Sequence, residues 1–222
     1  MTLTFTASAR RFGIASALGT VVLSALYVVV LIPGFLSLKS PLQPIGDPWF
    51  AMLEILIILS TPAMVALMVA VNAWAPAPSK PFSQTALVFM SLMAGLTCSV
   101  HFVLLAVGRQ AAFAGLEWMP LFLSFKWPSV PYALDIVAWD VFFPLSVLFA
   151  APVFGGGRLA NSIRWLLVAS GVLALAGLSG VFLGNMQWRN IGIAGYAGVF
   201  PIVALLMAIL FYRATPQQAG GP

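Results

Sequence analysis

Residues Gly46–Trp74 read GDPWFAMLEILIILSTPAMVALMVAVNAW, and they decide the fold. After Asp47-Pro48 the stretch holds one charged side chain, Glu54, and otherwise runs apolar for longer than the roughly 20 residues a helix needs to cross a bilayer. Apolar side chains occur on every side of the helix, so no polar face is left for water. Asp47 suits an N-cap, Pro48 the first helical position, and the APAPSKP run after Val71-Asn72-Ala73-Trp74 a stop.

The rest of the chain repeats this pattern. Hydrophobic residues make up 62% and charged residues 7%, with a mean hydropathy of +1.06. Soluble domains carry about a quarter charged residues, so this surface belongs in lipid. Spans are expected at about 13–37, 48–74, 83–108, 131–154, 163–184 and 191–212. The expectation is an all-α integral membrane protein, a single domain over residues 1–222 with six transmembrane helices. Residues 109–130, broken by Pro120 and Pro128 and carrying Trp118 and Trp127, are expected to lie in the outer interface.

The basic residues around the first span imitate a signal peptide, but the apolar run is too long for one and no small-residue cleavage site stands out. The stretch is therefore read as a retained helix. With the N-terminus inside, Arg10, Arg11, Lys80, Arg158, Arg164 and Arg213 face the cytoplasm, against Lys39, Arg109, Lys126 and Arg189 outside. All five acids then fall in outer loops or outer helix halves. With arginine favoured over lysine, the expected place is a bacterial inner (plasma) membrane, both termini cytoplasmic. The net charge of +5 comes from residues scattered through connections, which is a topology signal and no footprint of nucleic acid. The lone Cys98 excludes an internal disulfide.

Ionisable residues within spans are costly and mark function by default. Glu54, His101, Asp135 and Asp140 fall on successive helices of alternating direction and share one outer layer. Asp47, Glu54 and Thr61 are seven apart and lie on one stripe, with Asn72 near it. Ala94, Thr97, Cys98 and His101 form a small, polar strip of the kind that faces other helices. Asp135 and Asp140 are five apart, which on an α-helix sets them about 140° apart and argues against a carboxylate dyad. Pro144 cannot donate to the carbonyl of Asp140, so a kink is expected there, and Pro62 and Pro201 should weaken their helices at similar depth.

These groups are expected to meet in a polar pocket. Glu54, His101 and Asp140 are the candidate acid/base residues, with Asp135, Thr97, Cys98 and Trp139 lining the site and Arg109 or Arg189 as counter-charges. No lysine lies within a span, so a retinal Schiff base is excluded, and one histidine excludes bis-histidine haem and histidine-rich di-iron centres. No spaced ligand pair supports a metal, and no cofactor is expected.

Gly177–Gly180, GLSG, resembles the G-x-S-G of rhomboid intramembrane proteases over those four residues. That family places its histidine after the serine, on the last helix, whereas His101 precedes Ser179. Ala176, Gly180 and Gly184 also form a small-xxx-small face, and packing is the preferred reading. Two functions follow. The first is binding of an amphipathic or lipid-like molecule from the outer leaflet, with acid/base isomerisation or cyclisation. The alternative is proton- or ion-coupled transport, or a non-catalytic subunit of a larger complex. Membrane lipids are the expected partners, and homo-oligomerisation is left open.

Overall fold

The structure is a computed structural model that describes residues 5–40 and 43–215. The chain is 81% helix, with no strand among the described residues. Six helices are long and apolar enough to cross a membrane: α1 Ala7–Leu36, α2 Trp49–Trp74, α3 Ala77–Ala106, α4 Val130–Val153, α5 Arg158–Phe182 and α6 Met186–Arg213. Residues 107–129 join α3 to α4 without crossing, through a 3₁₀ turn at Ala111–Phe113 and a short helix at Met119–Phe122. The six expected spans are all present, displaced by a few residues at their ends.

Local chemistry sets several boundaries. Thr6 caps α1 by accepting from the amide of Ala9 at 3.1 Å, and Ser129 caps α4 by accepting from Tyr132 at 3.2 Å. The start of α2 differs from expectation by one position. Pro48 is the N-cap and, with no side-chain donor or acceptor, leaves Asp47 to accept from Ala51 at 3.3 Å. Between α5 and α6 the chain reverses within three residues, and Gly184, at φ +65°, supplies the left-handed turn that other residues rarely adopt.

Each helix packs on the next, and α6 returns to α1, so the bundle closes into a ring. One half, toward the face carrying both described chain ends, is filled by Leu67, Met68, Met90, Met93, Leu167, Met207 and Phe211, all fully buried. That half is dry and flexible-sided, since methionine fills irregular gaps. The opposite half, under the 107–129 loop, holds the ionisable groups.

Two helices depart from α geometry at matching places. α4 winds as a π-helix over Val137–Phe142 and α6 over Ala194–Val199, each followed directly by Phe-Pro (Phe143-Pro144 and Phe200-Pro201). The two segments face each other in register. Trp139 packs on Tyr196 with ring centroids 5.0 Å apart, and Phe143 packs on Phe200 at 5.2 Å. The expected disturbance before Pro144 and Pro201 is therefore a widened turn. α2 in contrast continues as a regular α-helix through Pro62.

Candidate functional site: a buried charge network

α2 runs away from the loop face and α3 returns to it, so Glu54 and His101 arrive at one level from opposite directions. Each lies five residues from the end of its helix, roughly 8 Å deep. Asp135, five residues into α4, and Arg189, three into α6, complete that layer. Asp140 lies about 15 Å along α4, near the middle of the span.

The five groups form one chain of contacts. His101 Nδ1 meets Glu54 Oε2 at 2.8 Å and its Nε2 meets Asp135 Oδ1 at 3.3 Å. Arg189 donates from Nη2 to Asp135 Oδ2 at 2.7 Å and from Nε to Asp140 Oδ2 at 2.8 Å. All five side chains belong to residues no more than 5% exposed. The order is Glu54–His101–Asp135–Arg189–Asp140, and it ties α2, α3, α4 and α6 together.

Aromatic rings roof the network. Phe125 of the loop lies 5.3 Å from the imidazole of His101 and 5.1 Å from Tyr132, whose ring sits 4.8 Å beneath the guanidinium of Arg189. Trp127 packs on Tyr132 from the loop side. Ser129 holds this roof by donating to the carbonyl of Ser124 at 2.8 Å. Gly108 permits the loop to close on α3: a Cβ there would lie 2.7 Å from the carbonyl of Leu104 and 3.1 Å from that of Leu123.

Charge sets what the network can do. With Glu54 and Asp135 ionised, both imidazole nitrogens face acceptors only, so both must donate and His101 is an imidazolium. Two cations then stand against three carboxyl groups. The surplus is one negative charge if every acid is ionised, and none if one acid keeps its proton. Breaking such a buried pair by removing one partner costs about 3–5 kcal/mol, whereas apolar groups of equal volume often serve stability as well. A network of this kind is an expensive way to fasten helices.

Several expectations change at this point. Asp135 is the centre of the network, bonded on both sides. Asp135 and Asp140 do converge, on one guanidinium, because the π segment that begins at Val137 widens the turn between them and brings them toward one face. Arg189 is the cation that joins them, while Arg109 pairs with Asp47 at the exposed rim. Asp140 reaches Glu54 and His101 only through Arg189 and Asp135. Thr97 donates to Met93 Sδ at 3.6 Å within α3, and Cys98 shares a hydrogen bond with Thr61 of α2 at 3.1 Å, so both stay off the network. Trp139 stacks with Phe143 and Tyr196, and its indole N–H is buried without a partner.

The rest of the expected stripe on α2 divides in the same way. Asn72 accepts from Ser83 at 2.8 Å, and its carbonyl takes the ammonium of Lys80. Concavities of about 350 and 600 Å³ lie at Phe35–Ser40 and along Arg158–Leu166, away from the five groups. The imidazole stands between two carboxylates in a line, so the ligand atoms do not converge on a point. Among the described residues no group of three or more His, Cys, Asp or Glu side chains is disposed to hold a metal ion.

Both nitrogens of His101 are engaged by carboxylates, which leaves none for Ser179. Gly180 packs against the backbone of Asn185 and Arg189, as a packing role requires, but the small-residue face differs from expectation. Ala176 is exposed and Gly184 lies in the turn, so the contacts to neighbours are made by Gly171 against α4 and by Gly177 and Gly180 against the first turns of α6. Comparison with protein families, with curated proteins and with solved structures finds no match to this chain.

Proposed function

We propose that the chain is a six-pass membrane protein, inserted with both ends at the cytoplasmic side of a bacterial plasma membrane, that couples uptake and release of a proton to movement of a small amphipathic solute. The observation that carries this reading is the closed network itself: three carboxyl groups and two cations, buried, with one proton more or less deciding its charge. Intramembrane acid and histidine chains suit proton relays. The π segments beside Asp140 and opposite it on α6 are what a helix that changes shape around its site would use. The dry half of the bundle blocks a continuous path, so the network is read as closed to the cytoplasmic side.

The test needs no knowledge of the solute. Protein in phosphatidylcholine–phosphatidylglycerol liposomes is adsorbed on a solid-supported membrane and given a pH jump. The expected result is a transient charge displacement that Glu54→Gln and Asp140→Asn abolish. Wild-type protein with no displacement at any pH would end the reading.

One observation favours a second reading. The roof of Phe125, Trp127 and Tyr132 suits the apolar body of a lipid-like molecule, with the acids beneath as general acid and base for isomerisation or cyclisation. Lipid extracts from cells carrying wild-type or Asp140→Asn protein, compared by mass spectrometry, decide it. An isomeric lipid present only with the wild type supports catalysis, and identical profiles remove it.

A further inference from the structure

We infer that Asp140 is the residue that holds the network's exchangeable proton, on Oδ1, and that Gly177 and Gly192 are positioning residues that keep this oxygen free of donors. The inference rests on the proton-coupled reading and names its site. Asp140 is fully buried, and its two oxygens have different surroundings. Oδ2 accepts from Arg189, whereas Oδ1 has no hydrogen-bond partner. Oδ1 is set against the two glycines where α5 meets α6: a Cβ on Gly177 would lie 2.7 Å from it, and one on Gly192 only 2.5 Å. The carbonyl oxygen of Ala174 comes within 3.2 Å of that same Gly192 position. The backbone nitrogen of Gly192 comes equally near the Gly177 position, at 3.2 Å, yet Oδ1 accepts no hydrogen bond from it.

A buried carboxylate oxygen without a donor is strongly disfavoured, while a carboxyl O–H beside a carbonyl has somewhere to point. Charge agrees with geometry. Asp135, Arg189, Tyr132 and Tyr196 surround Asp140 on α4 and α6, His101 and Glu54 lie beyond on α3 and α2, and α5 presents no ionisable group to it. With Asp140 neutral, Arg189 and His101 balance Asp135 and Glu54, and the network sums to zero. Asp135 spends one oxygen on each cation, whereas Asp140 keeps Oδ1 outside the network, buried and without a partner. Release breaks the Oδ1–H bond, hands the proton to a water molecule admitted from the loop side, and leaves Arg189 between two carboxylates.

Infrared difference spectroscopy across a pH step reads this proton directly. In wild-type protein labelled with [4-¹³C]aspartate, the C=O stretch of a neutral carboxylic acid is expected on the acid side of the step and shifted by the label. Asp140→Asn should remove the band and leave the melting temperature unchanged, because the amide reproduces a neutral group, while Asp135→Asn should lower it. Gly192→Ala and Gly177→Ala should move the band's frequency. No neutral-acid band, a band unmoved by labelled aspartate, or one that survives Asp140→Asn would overturn the assignment. A band insensitive to both glycine substitutions would overturn their positioning role. The band reports the proton whether or not anything is transported, so a flux-silent protein that shows it would end the proposed function and leave this inference standing.

Discussion

Arg189 is where single-residue chemistry matters most. Its guanidinium forks between Asp135 and Asp140 and lies on the ring of Tyr132, so three interactions depend on one planar group. Arg189→Gln strands two buried carboxyls, and thermal or denaturant unfolding in detergent should register a loss of about 3–5 kcal/mol. Arg189→Lys should recover little of it, since an ammonium cannot present two parallel donors to separate carboxylates. Arg189→Lys with wild-type stability would mean that charge alone holds the network. The sequence made Arg189 one of two candidates and could not choose. A helix end read from pattern is uncertain by two to four residues, and here that margin separates a loop arginine from one in the first turn of α6. Glu54 and His101 needed no such precision, because alternating helices bring their depths together whatever the ends do.

At the scale of elements, the π segments explain both a success and a failure of sequence reading. Pro144 marked the place where α4 would depart from regularity, and the departure is there. The proline did not reveal its form, and a kinked α-helix keeps Asp135 and Asp140 on different faces whereas a π-turn does not. The repeated signal was present in the chain: WDVFFP and YAGVFP place an aromatic five residues before each proline, and both segments are π-helical over the same positions. Pro62 lacks that aromatic and phenylalanine, and α2 stays regular. Deleting Ala138 should convert the segment to an α-turn and keep Phe143 on Phe200. It should also swing Asp135 off Arg189. Far-UV circular dichroism should then show wild-type helicity beside a lowered melting temperature. Unchanged stability would show that the π-turn is not what aligns the two aspartates. The loop roof gives a parallel test. Gly108→Val forces the carbonyl of Leu123 away from α3, and amide hydrogen exchange over residues 120–129 should quicken while α3 itself stays protected.

The whole molecule is asymmetric in charge, and the proposed orientation rests on that asymmetry. Glu54, Asp135 and Asp140 lie in the half under the 107–129 loop, Asp47 on its rim and Glu117 within it, while the opposite face carries Arg10, Arg11, Lys80, Arg158, Arg164 and Arg213 without an acid. Under the proposed insertion, with this more basic face cytoplasmic, the roof turns outward and the network has a proton source outside the cell. Cysteine labelling in a Cys98→Ser background tests this, since serine can keep the hydrogen bond to Thr61. Gln110→Cys and Lys126→Cys sit in the loop, and Gly155→Cys on the opposite face. A membrane-impermeant maleimide should react with the first two in intact cells and with the third only after permeabilisation. The reverse pattern would put the roof in the cytoplasm. The network would then draw its proton from the cell interior, and proton-driven uptake from outside would have to be replaced by export or by chemistry on inner-leaflet lipid.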